Sequence, residues 1–194
     1  MFDFHNHFTD RSSILCPAFL LPQYFTEERW EQLKIEKPKH MGEAGLDKRF
    51  INLMPLSEQK RILTEVLGFA KENGLCTTLH SVHTTSHTLE ILSSVKPREK
   101  TVIWHGFTGS AETASLLYKL GVIISIGPRV PEEKISSLVK ANPLFVLETD
   151  YDGENLEEHE QIITDVYNKT SRALGIRVNK LEEICLETAA AFTA

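Results

Sequence analysis

Two histidines near the start of the chain are spaced in a way that suits metal binding. His5 and His7 stand one residue apart, and Asp3 precedes them by the same step. If residues 2–7 form a β-strand, all three side chains point to one face, because side chains alternate along a strand. We therefore expect both imidazoles to bind one divalent ion, with Asp3 accepting a hydrogen bond behind them. Neighbouring histidines also occur in proteins that bind no metal there, so the metal-binding interpretation depends on further ligands elsewhere in the chain.

Four more candidate ligands stand near the ends of later strand-like segments, namely Glu43, His80, His105 and Asp150. Imidazole and carboxylate groups without a thiolate suit a hard or borderline divalent ion such as Zn, Mn or Mg. Six ligands are too many for one tetrahedral catalytic ion with an open position. They suit two ions that share a bridging carboxylate and a bridging water. Such a pair activates the water and stabilises both oxygens of a displacement at phosphorus.

The segments that carry these residues alternate between strand-like and helix-like patterns. Strands are predicted at residues 2–7, 14–21, 40–45, 75–82, 101–107, 122–127 and 144–150. Helices are predicted at residues 26–37, 58–73, 84–95, 110–120, 131–141, 156–174 and 179–192. Strands separated by single helices indicate a parallel sheet, either a barrel or an open doubly wound sheet. The carboxyl ends of parallel strands meet at one edge, where we expect the six ligands to lie together.

Composition indicates an ordinary globular protein made of one domain, residues 1–194. The chain is 41% hydrophobic and 25% charged, and its net charge of −6 argues against a basic surface for duplex nucleic acid. The three cysteines, Cys16, Cys76 and Cys185, form no CxxC pair, which favours reduced thiols. No apolar run is long enough for a membrane span and no signal peptide is evident, so a cytoplasmic location is expected.

Five short motifs, in this order along the chain, resemble the TatD-like family of metal-dependent deoxyribonucleases in the amidohydrolase superfamily. They are Asp3-Phe-His-Asn-His7, Gly42-Glu-Ala-Gly-Leu-Asp47, Leu79-His80, Trp104-His-Gly-Phe-Thr-Gly109 and Leu147-Glu-Thr-Asp150. The resemblance implies an α/β fold of the TIM-barrel type with outer helices. It also implies two divalent metal ions per subunit and hydrolysis of phosphodiester bonds in DNA, often from a 3′ end.

The resemblance also divides the six ligands between the two ions. It assigns three of them to one ion: His5, His7 and Asp150. It assigns His80 and His105 to the other ion and makes Glu43 the bridge. In this assignment Asp150 and Glu43 are the catalytic carboxylates, and Asp150 holds the nucleophilic water and takes its proton.

Three departures from the family pattern concern the surroundings of the ligands. Only 36 positions separate His7 from Glu43, which is fewer than the family usually has and indicates a barrel of about seven strands. Val82 stands where the family has an arginine, two residues after His80. The last helix has Ala189–Ala191 where the family has an asparagine. We therefore expect a complete metal site with an altered substrate-binding surface.

Several other residues are candidates for substrate contact or for supporting the ligands. Lys48 and Arg49 lie in the loop after Glu43, and Arg129 follows another predicted strand, although each also fits a solvated loop. His83 is a candidate replacement for the arginine missing nearby. Glu148 shares a strand face with Asp150, so we expect it to point inward behind the ligands.

The leading hypothesis is a metal-dependent phosphodiesterase or deoxyribonuclease in which a metal-bridging water is the nucleophile. A second hypothesis keeps the two ions but makes the substrate a small amide, ester or lactone, since one fold supports several chemistries. A third is a metal-binding interaction protein without turnover. The expected partners are DNA or a small phosphodiester, with no membrane contact and a monomeric or dimeric state.

Overall fold

The described part of the computed structural model comprises residues 1–7 and 20–193. It contains a parallel sheet of five strands in the spatial order β1-β2-β3-β4-β5. The strands are β1 (His40–Asp47), β2 (Cys76–Val82), β3 (Val102–Trp104), β4 (Ile123–Ile126) and β5 (Phe145–Leu147). The strand predicted at residues 14–21 lies almost wholly outside the described residues.

Helices connect these strands and follow the last one, as predicted. They are α1 (Glu27–Glu36), α2 (Leu56–Asn73), α3 (Thr85–Val95), α4 (Ala111–Lys119), α5 (Glu132–Ala141), α6 (Leu156–Leu174) and α7 (Val178–Thr193). A short 3-10 turn, Lys48–Phe50, follows β1. Thr26 caps α1 by accepting a hydrogen bond from the Arg29 amide. None of the helices in the described part is long and apolar enough to cross a membrane.

Helix α2 begins two residues earlier than predicted, at Leu56, and its N-cap residue is Pro55. Proline has no amide hydrogen to lose and its fixed φ suits the entry to a helix. The apolar side of α2 is buried as the sequence pattern predicts, and Gly74 ends the helix in a left-handed conformation with φ 69°.

The opening segment lies along β5 but is not a regular strand, so the prediction of a strand at residues 2–7 is wrong in this respect. The Phe4 amide donates to the Leu147 carbonyl over 3.0 Å, and the His7 amide donates to the Tyr151 carbonyl over 2.7 Å. The donors are three residues apart and the acceptors four, so the chain after β5 contains one extra residue. Asp150, at φ 54°, accounts for this interruption.

The opposite edge of the sheet is also extended by an early part of the chain. Leu20 forms an isolated parallel bridge with Ala44 of β1, and its amide donates to the Glu43 carbonyl over 2.8 Å. Segments from the start of the chain therefore line both edges of the five-stranded sheet. This arrangement fits a shortened barrel rather than an open sheet.

Two of the strands end sooner than predicted, at the places where site residues follow. β3 ends at Trp104 and β5 at Leu147, whereas the sequence pattern extends them to residues 107 and 150. Gly106 and Asp150 both have positive φ, 59° and 54°, which is incompatible with a continuing strand. His105 and Asp150 therefore stand on short turns just beyond the sheet.

The two faces of the sheet pack against different partners. Helices cover one face with a large apolar core that includes Trp104, Ile124 and Leu147. A second cluster occupies the opposite, inner face and contains Phe4, Cys76, Ile103, Ile123, Val146, Ala189 and Phe192. Helix α7 therefore supplies part of the inner core of this short barrel. The site residues lie on the same inner face, at the carboxyl ends of the strands.

Candidate metal centre

The Glu43 carboxylate lies at the centre of four imidazoles and is 2% exposed. Its Oε1 lies 2.8 Å from His5 Nε2 and 3.1 Å from His7 Nε2. Its Oε2 lies 3.4 Å from His80 Nδ1 and 3.3 Å from His105 Nε2. The two oxygens of one carboxylate thus face two separate pairs of histidines.

Asp150 stands beside this group on its solvent side, with 18% of its side chain exposed. Its Oδ1 lies 3.8 Å from His5 Nε2, 3.6 Å from His7 Nε2 and 3.8 Å from His105 Nδ1. The structure therefore brings together all six residues that the sequence analysis singled out as ligands. They come from the opening segment, β1, β2 and the turns after β3 and β5.

Two glycines allow Glu43 to occupy this position. The β1–β2 pairing shifts register between Met41 and Ala44, and Gly42 within the shift has φ 112°, which side chains rarely permit. A Cβ on Gly45 would lie 1.9 Å from the His80 carbonyl oxygen. The glycines in the motif around Glu43 thus serve to redirect this carboxylate and to let β2 approach closely.

The charges of the cluster reinforce one another. Burial alone would raise the pKa of Glu43, but the neighbouring imidazoles, His105 first, hold it well below its usual value. Burial also opposes ionisation of Asp150, yet the imidazoles lower its pKa to about 2. The hydrogen bonds of His7 with Asp150 and Glu43 raise the pKa of His7 to about 9. The metal-free site at neutral pH therefore contains two carboxylates and at least one imidazolium.

The donor set fits divalent metal ions. Ligand atoms about 2.0–2.2 Å from a shared ion lie about 3.0–3.5 Å apart at the usual angles. Glu43 Oε2, His80 Nδ1 and His105 Nε2 have mutual distances of 3.0–3.4 Å, which are those of three ligands around one ion. Four donors, from His5, Glu43, His105 and Asp150, lie within 4.8 Å of one another. These residues form a candidate metal-binding cluster.

His80 is held by a group that the sequence analysis did not single out. Its Nε2 lies 3.1 Å from Asp47 Oδ2, on the side of the ring opposite Glu43. Arg49 donates to both oxygens of Asp47, and Gln59 bonds the Asp47 backbone on both sides, accepting from its amide and donating to its carbonyl. A carboxylate behind a histidine fixes the ring orientation and raises its basicity. The signal was present in the motif that ends at Asp47.

Asp3 is buried, but the contacts that define its position are with the turn after β5. Its Oδ1 accepts a hydrogen bond from the Thr149 amide over 3.0 Å, and its Oδ2 lies 2.7 Å from both the Thr149 hydroxyl and His159 Nε2. Asn6 also donates to it over 3.1 Å. Asp3 therefore joins the segment of His5 to the turn of Asp150.

The remaining candidates lie in different surroundings. Glu148 is fully buried and accepts a hydrogen bond from the Gly106 amide, and burial raises its pKa. Glu148 thus points inward and holds the turn after His105 through this hydrogen bond. Lys48 and His83 are exposed, and in the described chain no hydrogen bond or ion pair joins either to the cluster. The prediction that His83 replaces the missing arginine therefore gains no support.

The sequence of the whole chain matches one protein family. A family model described as TatD related DNase matches residues 2–193. The chain belongs to this family. The resemblance read from five motifs is thereby confirmed over nearly the full length, and the shortened barrel is a variant of the TatD fold.

Individual relatives agree with this membership. The chain is 30% identical over 122 residues to an uncharacterized metal-dependent hydrolase, YabD, from Bacillus subtilis strain 168. That match covers 59% of this chain and 47% of YabD, so the chain spans about half the length of this curated relative. Its activity and substrate are therefore matters for proposal.

Solved structures with the same fold come from bacteria and eukaryotes. The crystal structure of YjjV, a TatD homologue from Escherichia coli K12, has a TM-score of 0.74 at 24% identity, over 90% of this chain and 75% of YjjV. A hydrolase of the TatD family from Entamoeba histolytica has a TM-score of 0.63 at 13% identity, over 88% of this chain and 68% of that protein. These likenesses confirm the TIM-barrel-like α/β fold.

Proposed function

We propose that this TatD-family protein is a divalent-metal-dependent hydrolase that cleaves phosphodiester bonds, with DNA as its substrate. The observation that carries this proposal is the position of Glu43. Its two oxygens face two pairs of imidazoles, which is the arrangement that a carboxylate shared by two ions requires. A site for one ion has no need of ligands on both sides of one carboxylate.

In this proposal the six clustered residues divide between two ions. Three residues, His5, His7 and Asp150, would hold one ion, and His80 and His105 would hold the other. Glu43 would be a ligand of both. When bound, two such ions lower the pKa of a coordinated water and neutralise charge on a phosphate. Zn, Mn and Mg all remain compatible with imidazole and carboxylate donors.

The chain's own groups supply the remaining requirements. Asp150 is ionised at neutral pH and partly open to solvent, so it can orient the attacking water and accept its proton. Glu43 is almost fully buried, which suits a structural bridge rather than a proton acceptor that exchanges with solvent. His80 keeps its orientation through Asp47, because this carboxylate faces its Nε2.

Activity assays on matched variants test the proposal. The protein loaded with Zn, Mn or Mg is incubated with single-stranded DNA and with bis(p-nitrophenyl) phosphate. Glu43→Gln and Asp150→Asn should each lower kcat/KM at least 100-fold, because each removes a charged group from the reacting centre. Glu187→Gln and Asp165→Asn, on exposed faces of α7 and α6, should leave it unchanged.

The same assay includes p-nitrophenyl acetate and a simple lactone. Val82, which replaces the family's arginine, is the observation that makes carbonyl hydrolysis the second candidate. Turnover of the ester or lactone without any phosphodiesterase activity would replace the proposed function by that candidate. Metal binding without turnover of any substrate would indicate an interaction protein.

A further inference from the structure

Arg129 is carried by the loop after β4 to the open side of the metal centre. Its Nη2 lies 3.0 Å from Asp150 Oδ2, while 63% of its side chain is exposed. In the described part of the chain it is the arginine that contacts one of the six clustered residues. It therefore combines a fixed position beside the reacting centre with access to solvent.

The loop that carries Arg129 is held in place by a lysine of α6. Lys169 Nζ donates to three backbone carbonyls, those of Gly127 over 3.3 Å, Pro128 over 3.0 Å and Val130 over 2.8 Å. Burial lowers the pKa of Lys169. Partial burial of this ammonium group is unfavourable, so its three bonds to one loop indicate that the loop needs a defined conformation.

The turn after His105 leaves room for the guanidinium. Gly106 has φ 59°, and a Cβ at this position would lie 2.7 Å from Arg129 Nη2. A larger residue would therefore displace the arginine from Asp150. The lysine thus holds the backbone on both sides of Arg129, while Gly106 and Asp150 define the position of the guanidinium itself.

The other cations near the centre are placed differently. Arg49 uses its Nε and Nη2 on Asp47, which faces the far side of His80. Lys48 is exposed and, within the described residues, makes no ion pair with the cluster. The side chain of Val82 is apolar and has no hydrogen-bond donor for an anion. Arg129 is thus the cation best placed to meet a substrate above Asp150.

We propose that Arg129 binds a non-bridging oxygen of the substrate phosphate. This inference rests on the proposed phosphodiesterase function and names the group that recognises the phosphate. One Nη2 contact with Asp150 orients the guanidinium, and its remaining N–H groups form the planar fork that matches phosphate oxygens. The substrate class is a compound with an anionic phosphate at the cleaved bond.

Binding of inorganic phosphate to the metal-loaded protein tests this directly, without turnover. Calorimetric titration compares the wild type with Arg129→Met, Arg129→Lys and the control Arg98→Met, an exposed arginine at the opposite end of the sheet. Loss of one charge-assisted contact should weaken phosphate binding about 10- to 100-fold in Arg129→Met. Arg129→Lys should lie between it and the wild type, and Arg98→Met should match the wild type.

Two results would overturn the inference. One is a phosphate affinity that changes less than threefold in Arg129→Met. The other is a loss of bound metal parallel to the loss of phosphate, because Arg129 would then act only by positioning Asp150. Phosphate binding that depends on Arg129 in a protein that cleaves no phosphodiester would refute the proposed phosphodiesterase function while leaving the phosphate contact of Arg129 supported.

Lys169 provides a second readout. Lys169→Met should weaken phosphate binding through the loop, in the same direction as Arg129→Met but less. If the lysine acts through Arg129, its effect should disappear in the double variant, because coupled substitutions are not additive. Additive effects would contradict a shared role, because Lys169 would then affect phosphate binding independently of Arg129.

Discussion

Substitution of Asp3 should weaken both the fold and the metal centre, because this side chain joins two distant parts of the chain. It is 5% exposed and accepts hydrogen bonds from the Thr149 amide, the Thr149 hydroxyl, His159 and Asn6. Asp3→Ala removes the acceptor of the buried Thr149 amide and hydroxyl and one partner of His159 and of Asn6. Removing one partner of a buried charged network costs about 3–5 kcal/mol. A domain of ordinary stability has about 5–15 kcal/mol in total.

Urea unfolding of the metal-free protein measures this cost without a contribution from bound ions. We expect Asp3→Ala to lower the free energy of unfolding by about 3–5 kcal/mol, and Asp3→Asn to lower it less, because the amide keeps one acceptor. Asp165→Ala, on the exposed face of α6, is the control and should change it by less than about 0.5 kcal/mol. A loss below about 1 kcal/mol for Asp3→Ala would refute the idea that this carboxylate fastens the two segments together.

Three further perturbations follow from the same geometry. Asp47→Asn should weaken Zn binding about 10- to 100-fold while leaving the fold intact, because His80 loses the carboxylate that orients its ring. A competitive chelator titration measures this change. An unchanged Zn affinity would show that Asp47 does not support the metal centre. Gly45→Ala should destabilise the protein by more than about 3 kcal/mol, because the added Cβ would collide with a backbone carbonyl of β2. Gly68→Ala on α2 should stabilise it by about 0.5–1 kcal/mol, because a Cβ there meets nothing within 4 Å. Urea unfolding compares the two, and equal effects would contradict the described strand spacing. Cys185 is buried with its pKa raised to about 12, so peptide mapping after treatment with a thiol reagent at pH 7 should find it unmodified unless the protein is unfolded.

Much of the ligand set was readable from the sequence because strand ends in a parallel sheet meet at one edge. Glu43, His80 and His105 each lie near the end of a predicted strand, and the structure brings them within hydrogen-bonding or metal-binding distance of one another. The assignment of each ligand to one of two ions came from the family motifs, because the positions of residues in a sequence do not determine it. The number of ions and the roles of their ligands remain predictions.

Other features depend on contacts between residues far apart in the chain and left no local pattern. The pairing of Asp3 with His159 joins positions 156 residues apart, and no periodicity indicates it. The early ends of β3 and β5 result from positive φ at Gly106 and Asp150, where the hydrophobic pattern still reads as extended. The turns at these positions break the extended conformation that the hydrophobic pattern predicts, and they carry His105 and Asp150 out of the sheet to the metal centre.

The number of divalent ions per chain tests the central claim most directly. The protein is stripped of metal, reconstituted with Zn or Mn, freed of excess ion and analysed by elemental mass spectrometry, alongside Glu43→Gln and the control Glu187→Gln. A carboxylate shared by two ions predicts two ions per chain in the wild type and in the control, and fewer than two in Glu43→Gln. One ion or fewer per wild-type chain, or two ions retained in Glu43→Gln, would contradict it.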